Sequence, residues 1–233
     1  MMKKPISSFY KVFLFPCYSD FRCYQSRRTI SCQTVQLYFS HRRCTHLFAA
    51  SSSDRGVISA QPQRLTFRVG VSAYLGAVPF ISSTTLLPAG GSILPVEARH
   101  NTFLLVANKG NPIPSAFDTP LSFNLVFTIA SAFIASCPAS SPPLPFTAFP
   151  PLVATTSAVK AGDIVTLGGA PLNNGTFAVV ISGLNTFPVP LFNNQFIFPN
   201  DTSISGQVYL VLSTNGSVTD DQIRAGPAIL NAN

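Results

Sequence analysis

One glutamate, Glu97, three histidines, two methionines and no tryptophan occur among the 233 residues of this chain. That scarcity excludes whole classes of chemistry. Beyond Cys137 there is no histidine, cysteine, methionine or glutamate. A blue-copper site, with two His, one Cys and usually an axial Met, cannot be built there. Serine and threonine are plentiful in that part, but a hydroxyl nucleophile needs a base, and only Asp163, Asp201, Asp220 and Asp221 supply carboxylates. No C-x-x-C pair occurs, so zinc is not indicated. Cys17, Cys23, Cys32 and Cys44 are unevenly spaced and read as unpaired thiols, and Cys137 stands alone. Charged residues make up only 10% against 46% hydrophobic, a balance that buries a core rather than leaving the chain disordered.

The charge that is present is lopsided. Residues 1–70 carry eleven basic side chains against two acidic ones, a balance of +9. Residues 71–233 carry four against six, a balance of −2, which together give the net +7. The basic residues sit in a stretch without helical or strand periodicity, not on a patterned face. Nucleic-acid binding is therefore not expected.

"MMKKPISSFYKVFLFPCYSDF" starts like a secretory leader, but Lys11 and Pro16 break its apolar stretch and no small-residue cleavage site follows. The Arg- and Ser-rich residues after it have the composition of an organellar transit peptide. Residues 1–68 are expected to be a disordered basic segment.

What is there begins at Val69. "VGVSAYLGAVPFI" reads as a helix with Val71, Tyr74, Leu75 and Val78 on one stripe. The prolines and glycines of "SSTTLLPAGGSILP" read as a break. Pro95 then suits the first turn of a new helix, from Pro95 to Ala107, with Asn108-Lys109-Gly110 as its stop. Asp118-Thr119-Pro120 reads as a further helix start. The apolar run from Leu121 to Ser136 is short for a membrane span, so a buried helix is expected.

"GVSAYLGA", "SILPVEARHNTFLL", "NPIPSAFDTPLSFNLVFTIASAFIASCP" and "LPFTAFPPL" follow one another in order. Together they resemble the second half of the fungal ferritin-like domain proteins, a secreted, stress-associated group related to plant desiccation-related proteins. The resemblance implies a four-helix bundle behind a signal peptide, with "GVSAYLGA" ending its third helix and "VEARH" in its fourth. Two upstream helices are implied, yet residues 1–68 resemble nothing in the family. The family's third helix tends to carry a glutamate just before "GVSAY"; here that place reads "QRLTFRV", without an acid.

Glu97 and His100 stand three apart, the Glu-x-x-His spacing with which a ferritin-like bundle helix holds iron. A di-iron site takes two such pairs and two further glutamates. With one glutamate in the chain, the site is expected to be incomplete, ancestral rather than occupied, and no cofactor is expected unless a partner chain completes it with iron. Otherwise Glu97 would sit in a first helical turn, favoured by the helix dipole by roughly 0.3–1 kcal/mol, and pair with Arg99 or Lys109. His100 would be an ordinary, partly buried histidine.

From residue 138 the pattern changes. Proline crowds residues 138–151, as in an extended linker. "LVATTS", "DIVTLGG", "GTFAVVISG", "FPVPLFNNQFIFP" and "GQVYLVLSTNG" are short β-type runs separated by turn dipeptides. They predict an immunoglobulin- or cupredoxin-like sandwich over residues 152–233. Three sequons, at Asn174, Asn200 and Asn215, are candidate glycosylation sites.

The expected fold class is α+β: a partial ferritin-like helical region at 69–137, a proline-rich linker at 138–151 and a β-sandwich at 152–233. The function expected is that of a non-enzymatic member of that family, truncated or structural, in a secreted or cell-surface protein. The alternative is a di-iron protein, binder or oxidase, completed by a partner chain. Helices made to pack on missing partners should expose apolar faces and favour self-association.

Overall fold

A computed structural model describes residues 23–26, 29–32, 61–134, 144–169, 172 and 175–233. Its contacts group the chain into two compact units, one of residues 1–59 with 130–145, the other of residues 60–129 with 146–233. In the first, strands β1 (Cys23–Ser26) and β2 (Thr29–Cys32) pair antiparallel, where no strand alternation is legible. The rest of the disorder expected for residues 1–68 lies outside the described residues up to Gln61.

In the second unit, helix α1 spans Gln61–Ala77, a 3₁₀ turn Val78–Phe80 and helix α2 Leu86–Ala107, and helix α3, Phe123–Ser131, belongs to it up to Ile129. Each departs from its sequence reading. α1 begins at Gln61, eight residues before Val69, and its buried positions between 68 and 73 go nearly all round, while Val78 is exposed. α2 runs straight through the expected break. Pro88 falls in its first turn, where the missing N–H costs nothing, and Pro95 lies inside the helix. The price at Pro95 is one intrahelical bond to the Gly91 carbonyl, and Gly91 has open space around it. α3 is nine residues long and begins later than expected: Ser122 caps it, its Oγ accepting from Leu125 N at 3.4 Å. No helix among the described residues is long and apolar enough to cross a membrane.

The strands follow as β3 (Leu152–Ala154), β4 (Ala158–Val159), β5 (Ile164–Gly169), β6 (Phe177–Ser182), β7 (Asn185–Pro190), β8 (Gln195–Ile197), β9 (Gly206–Ser213) and β10 (Ile223–Ala232). They form a five-stranded sheet in the order β4-β10-β9-β6-β7 and a three-stranded sheet β3-β5-β8. Pro188 and Pro190 are tolerated because β7 is an edge strand. β10, the longest strand, escapes the sequence reading because Gly226 and Pro227 interrupt it; the pairing with β9 shifts register across them.

The two sheets enclose one apolar core. Val165, Leu167 and Phe196 come from the smaller sheet and Val180, Leu210, Leu212 and Leu230 from the larger. The fold is thus α+β with a β-sandwich, as the sequence implies. The larger sheet is also buried on its other face, where Val179, Ile181, Tyr209 and Val211 are between 0% and 6% exposed. That face carries the helical layer. Tyr209 OH and Ser72 Oγ of α1 hydrogen-bond at 3.0 Å. Gly183 N donates to Thr119 Oγ1 at 2.8 Å, and Ser122 Oγ donates to Asp220 Oδ1 at 2.7 Å. Thr119, expected to start a helix, instead caps the β6–β7 turn. The helices and sheets expected as separate domains therefore share one packed unit; of the expected linker, residues 144–151 carry no helix or strand, and 138–143 lie outside the described residues.

Candidate functional site

Glu97 and His100 lie near the middle of α2, not at its start. Placing Pro95 inside the helix removes the first-turn reading of Glu97. α2 buries Gly90, Glu97, Asn101, Leu104 and Leu105, a single stripe at helical spacing that packs against α1. Glu97 is 9% exposed. Its carboxylate lies over Gly70 of α1: a methyl group at position 70 would come within 3.2 Å of Glu97 Oε2.

Burial pushes the Glu97 carboxyl above the ordinary carboxylate range, since a charge in a dry seam loses its hydration. Among the described residues no neighbouring cation offsets this. Arg99 and Lys109, the expected ion partners, are exposed. His100 is half-buried, and burial together with the Arg99 charge pulls its pKa down, favouring neutral imidazole. One turn beyond Glu97, Asn101 is 6% exposed and its Oδ1 is buried without a hydrogen-bond partner. The sequence reading missed Asn101 and Gly70. The i,i+4 spacing of Glu97 and Asn101 was the available signal for Asn101; Gly70 had none.

A carboxylate, an imidazole and an amide oxygen on one helix do not fit a two-iron centre, which takes carboxylates from facing helices as bridges. α1 presents Gly70 opposite Glu97 and so offers no side chain at that place. Among the described residues no three His, Cys, Asp or Glu side chains converge. The other two histidines of the chain, His41 and His46, lie outside the described residues.

The sequons divide. Asn200 and Asn215 are exposed, each in a turn, and Asn174 lies outside the described residues. Asn215 Oδ1 accepts from Ser217 N at 2.9 Å, and after Asn200 the Asp201 carboxylate accepts from Ser203 N at 2.8 Å.

With this geometry in place, comparison with known proteins gives one class. Residues 48–108 match the family model of the ferritin-like domain. The matched stretch takes in α1, the 3₁₀ turn, α2 and residues upstream of Gln61 that the sequence reading had set apart from the family. No curated protein matches the chain.

Proposed function

We propose that this chain is a non-enzymatic, structural ferritin-like protein of the secreted, stress-associated fungal group, whose Glu-x-x-His motif is the remnant of a metal site. The observation that carries this reading is the pairing of Glu97 with Gly70. The one glutamate of the chain packs against a glycine, in a seam without a second carboxylate or a cation among the described residues. A carboxylate so placed fills space between two helices. It neither bridges two metals nor orients a substrate. A secreted or cell-surface location and N-glycosylation at Asn200 and Asn215 belong to the same proposal, supported by the exposure of both turns.

Metal analysis of the purified chain, produced with added iron, manganese and zinc, is the test. Well under one metal per chain is expected. Two metals per chain, lost in Glu97→Ala, would overturn the reading.

A second reading has one observation in its favour. Phe103 and Val106 on the outward side of α2 are 45% and 57% exposed, where a helix in a complete bundle would be covered. A partner chain seated there and bringing ligands would make a di-iron protein. The same measurement on a preparation holding that partner separates the two.

A further inference from the structure

The β-sandwich has four sheet faces. Two make the core, and the helical layer covers the outer face of the larger sheet. The outer face of the three-stranded sheet is left open. A solvated face of an antiparallel sheet ordinarily alternates toward polar residues. Here Ile164 and its cross-strand partner Ile197 are 66% and 61% exposed, and Val153 is 56% exposed. No charged residue occurs in β3, β5 or β8.

The turn joining β7 to β8 extends this face. Phe192 and Gln195 bond each other's backbone in both directions, at 2.9 and 2.8 Å, so their side chains stand on the same side. Asn193 and Asn194 have φ of 50° and 62°, the left-handed pair of a tight hairpin turn that asparagine tolerates. Asn194 O also accepts from Leu167 N of β5 at 2.8 Å, which pins the turn to the sheet. The result is a phenyl ring 74% exposed on a pinned turn, followed in the chain by three exposed amide side chains. Gln195 Nε2 donates to Thr166 Oγ1 at 3.0 Å, a bond that does not use its amide oxygen.

We infer that this face binds a neutral polysaccharide. Uncharged aliphatic and aromatic surface matches the C–H side of a sugar ring. Amides that both donate and accept match its hydroxyls. With no Lys, Arg, Asp or Glu in the three strands or in the β7–β8 turn, the face itself offers no charge to select a phosphate, a carboxylate or a nucleic-acid backbone. Exposed apolar patches with polar neighbours mark interaction sites, and a preformed turn lowers the entropy cost of binding. This inference is independent of the helical site.

The test mixes the purified full chain with insoluble cellulose, chitin and β-1,3-glucan. Retention on at least one is expected, unchanged by high salt because no charges are paired. Phe192→Ala should bind at least about tenfold more weakly, the loss of one stacked ring at 1.4 kcal/mol per tenfold. Its melting curve should match the parent, since the ring is exposed. Phe117→Ala, which removes a ring 61% exposed beside the β6–β7 turn, should bind as the parent does. No retention on any of the three solids, or equal retention of Phe192→Ala, overturns the inference. So does a parent chain that sediments as a dimer and becomes monomeric with Phe192→Ala, because a second copy then occupies the face.

Discussion

Gly70 and Glu97 face each other across the α1–α2 seam, with 3.2 Å between the carboxylate and the place a methyl group would take at position 70. This contact has a consequence in pH. The folded pKa of Glu97 is raised above 4.5 by burial, so the folded state holds its proton more tightly than the unfolded chain does. The stability it contributes is complete below pH about 4.5 and is lost as pH rises through the folded value. His100 has the opposite sign: its lowered pKa contributes stability above its unfolded value, lost as pH falls through the folded one. A single pH profile therefore mixes the two. The difference between Glu97→Gln and the parent isolates the first. At pH 7 the variant should melt higher, and the gap should close as pH approaches 4.5. An unchanged or lower melting point for Glu97→Gln at pH 7 would mean that the carboxylate has a cationic partner in solution.

Glycine at 76 is required for a different reason. A methyl group there would fall 1.9 Å from the backbone oxygen of Leu121, which runs directly across α1, its N–H donating to Ser72 O at 3.2 Å. Helix propensity alone favours Gly→Ala by about 1 kcal/mol. The clash is with backbone and should outweigh that, leaving Gly76→Ala destabilised by about 1–3 kcal/mol. Gly91→Ala is the matched control, since nothing lies within 4 Å of its methyl group. It should gain about 0.5–1 kcal/mol. Denaturant melts of the two variants should move in opposite directions. If both move up, residue 121 crosses α1 more loosely than this contact implies.

How much of this was legible varied with the physics behind each signal. The short strands β5, β6 and β9 stood out because β-branched runs bounded by glycine and asparagine have few other uses. The covering of the larger sheet by helices was also written in the sequence and passed over. Ala178 to Ile181 and Val208 to Leu212 are apolar without alternation, the pattern of strands buried on both faces. Pro95 misled because proline at a first helical turn and proline inside a helix look alike locally. Tertiary packing along Gly90, Glu97 and Leu104 decides between them. Gly70 could not be assigned from sequence, since its role exists only opposite a side chain on another helix.

Tyr209 joins the two layers, and its loss should be felt by both. It is 2% exposed, and its hydroxyl meets Ser72 Oγ at 3.0 Å and accepts from Gln207 Nε2 at 3.1 Å. Tyr209→Phe leaves both partners short of a hydrogen bond in a buried place, at a cost of about 1–3 kcal/mol. Combined with Ser72→Ala the losses should be less than additive, because the same bond is removed twice. The absence of tryptophan makes tyrosine fluorescence a usable probe here. Fluorescence and far-ultraviolet circular dichroism should report one transition for residues packed as a single unit. Two separate transitions would show that the helices and the sandwich melt independently.

The sequons make the last prediction, because the two exposed ones differ in how their turns are held. Asn200 precedes Asp201, whose carboxylate is kept below its usual pKa by hydrogen bonds from the side chain and backbone of Ser203. That turn stays formed while Asn200 itself remains exposed. At Asn215 the side-chain oxygen is already engaged by Ser217 N, a residue of its own sequon, and Gly216 N donates to Ser213 Oγ at 3.2 Å. The glycan joins Nδ2, which that bond does not use, but Ser217 of the same sequon is held by Asn215, Ser213 and Thr219, so the sequon has to open for a transferase to read it. Expressed through a secretory pathway, the chain should carry a glycan at Asn200 on most molecules and at Asn215 on fewer. Enzymatic deglycosylation followed by peptide mass spectrometry reads both occupancies directly. Thr202→Ala should abolish the first without changing the second. Equal occupancy at the two sites would show that the Asn215 turn does not hold its asparagine back.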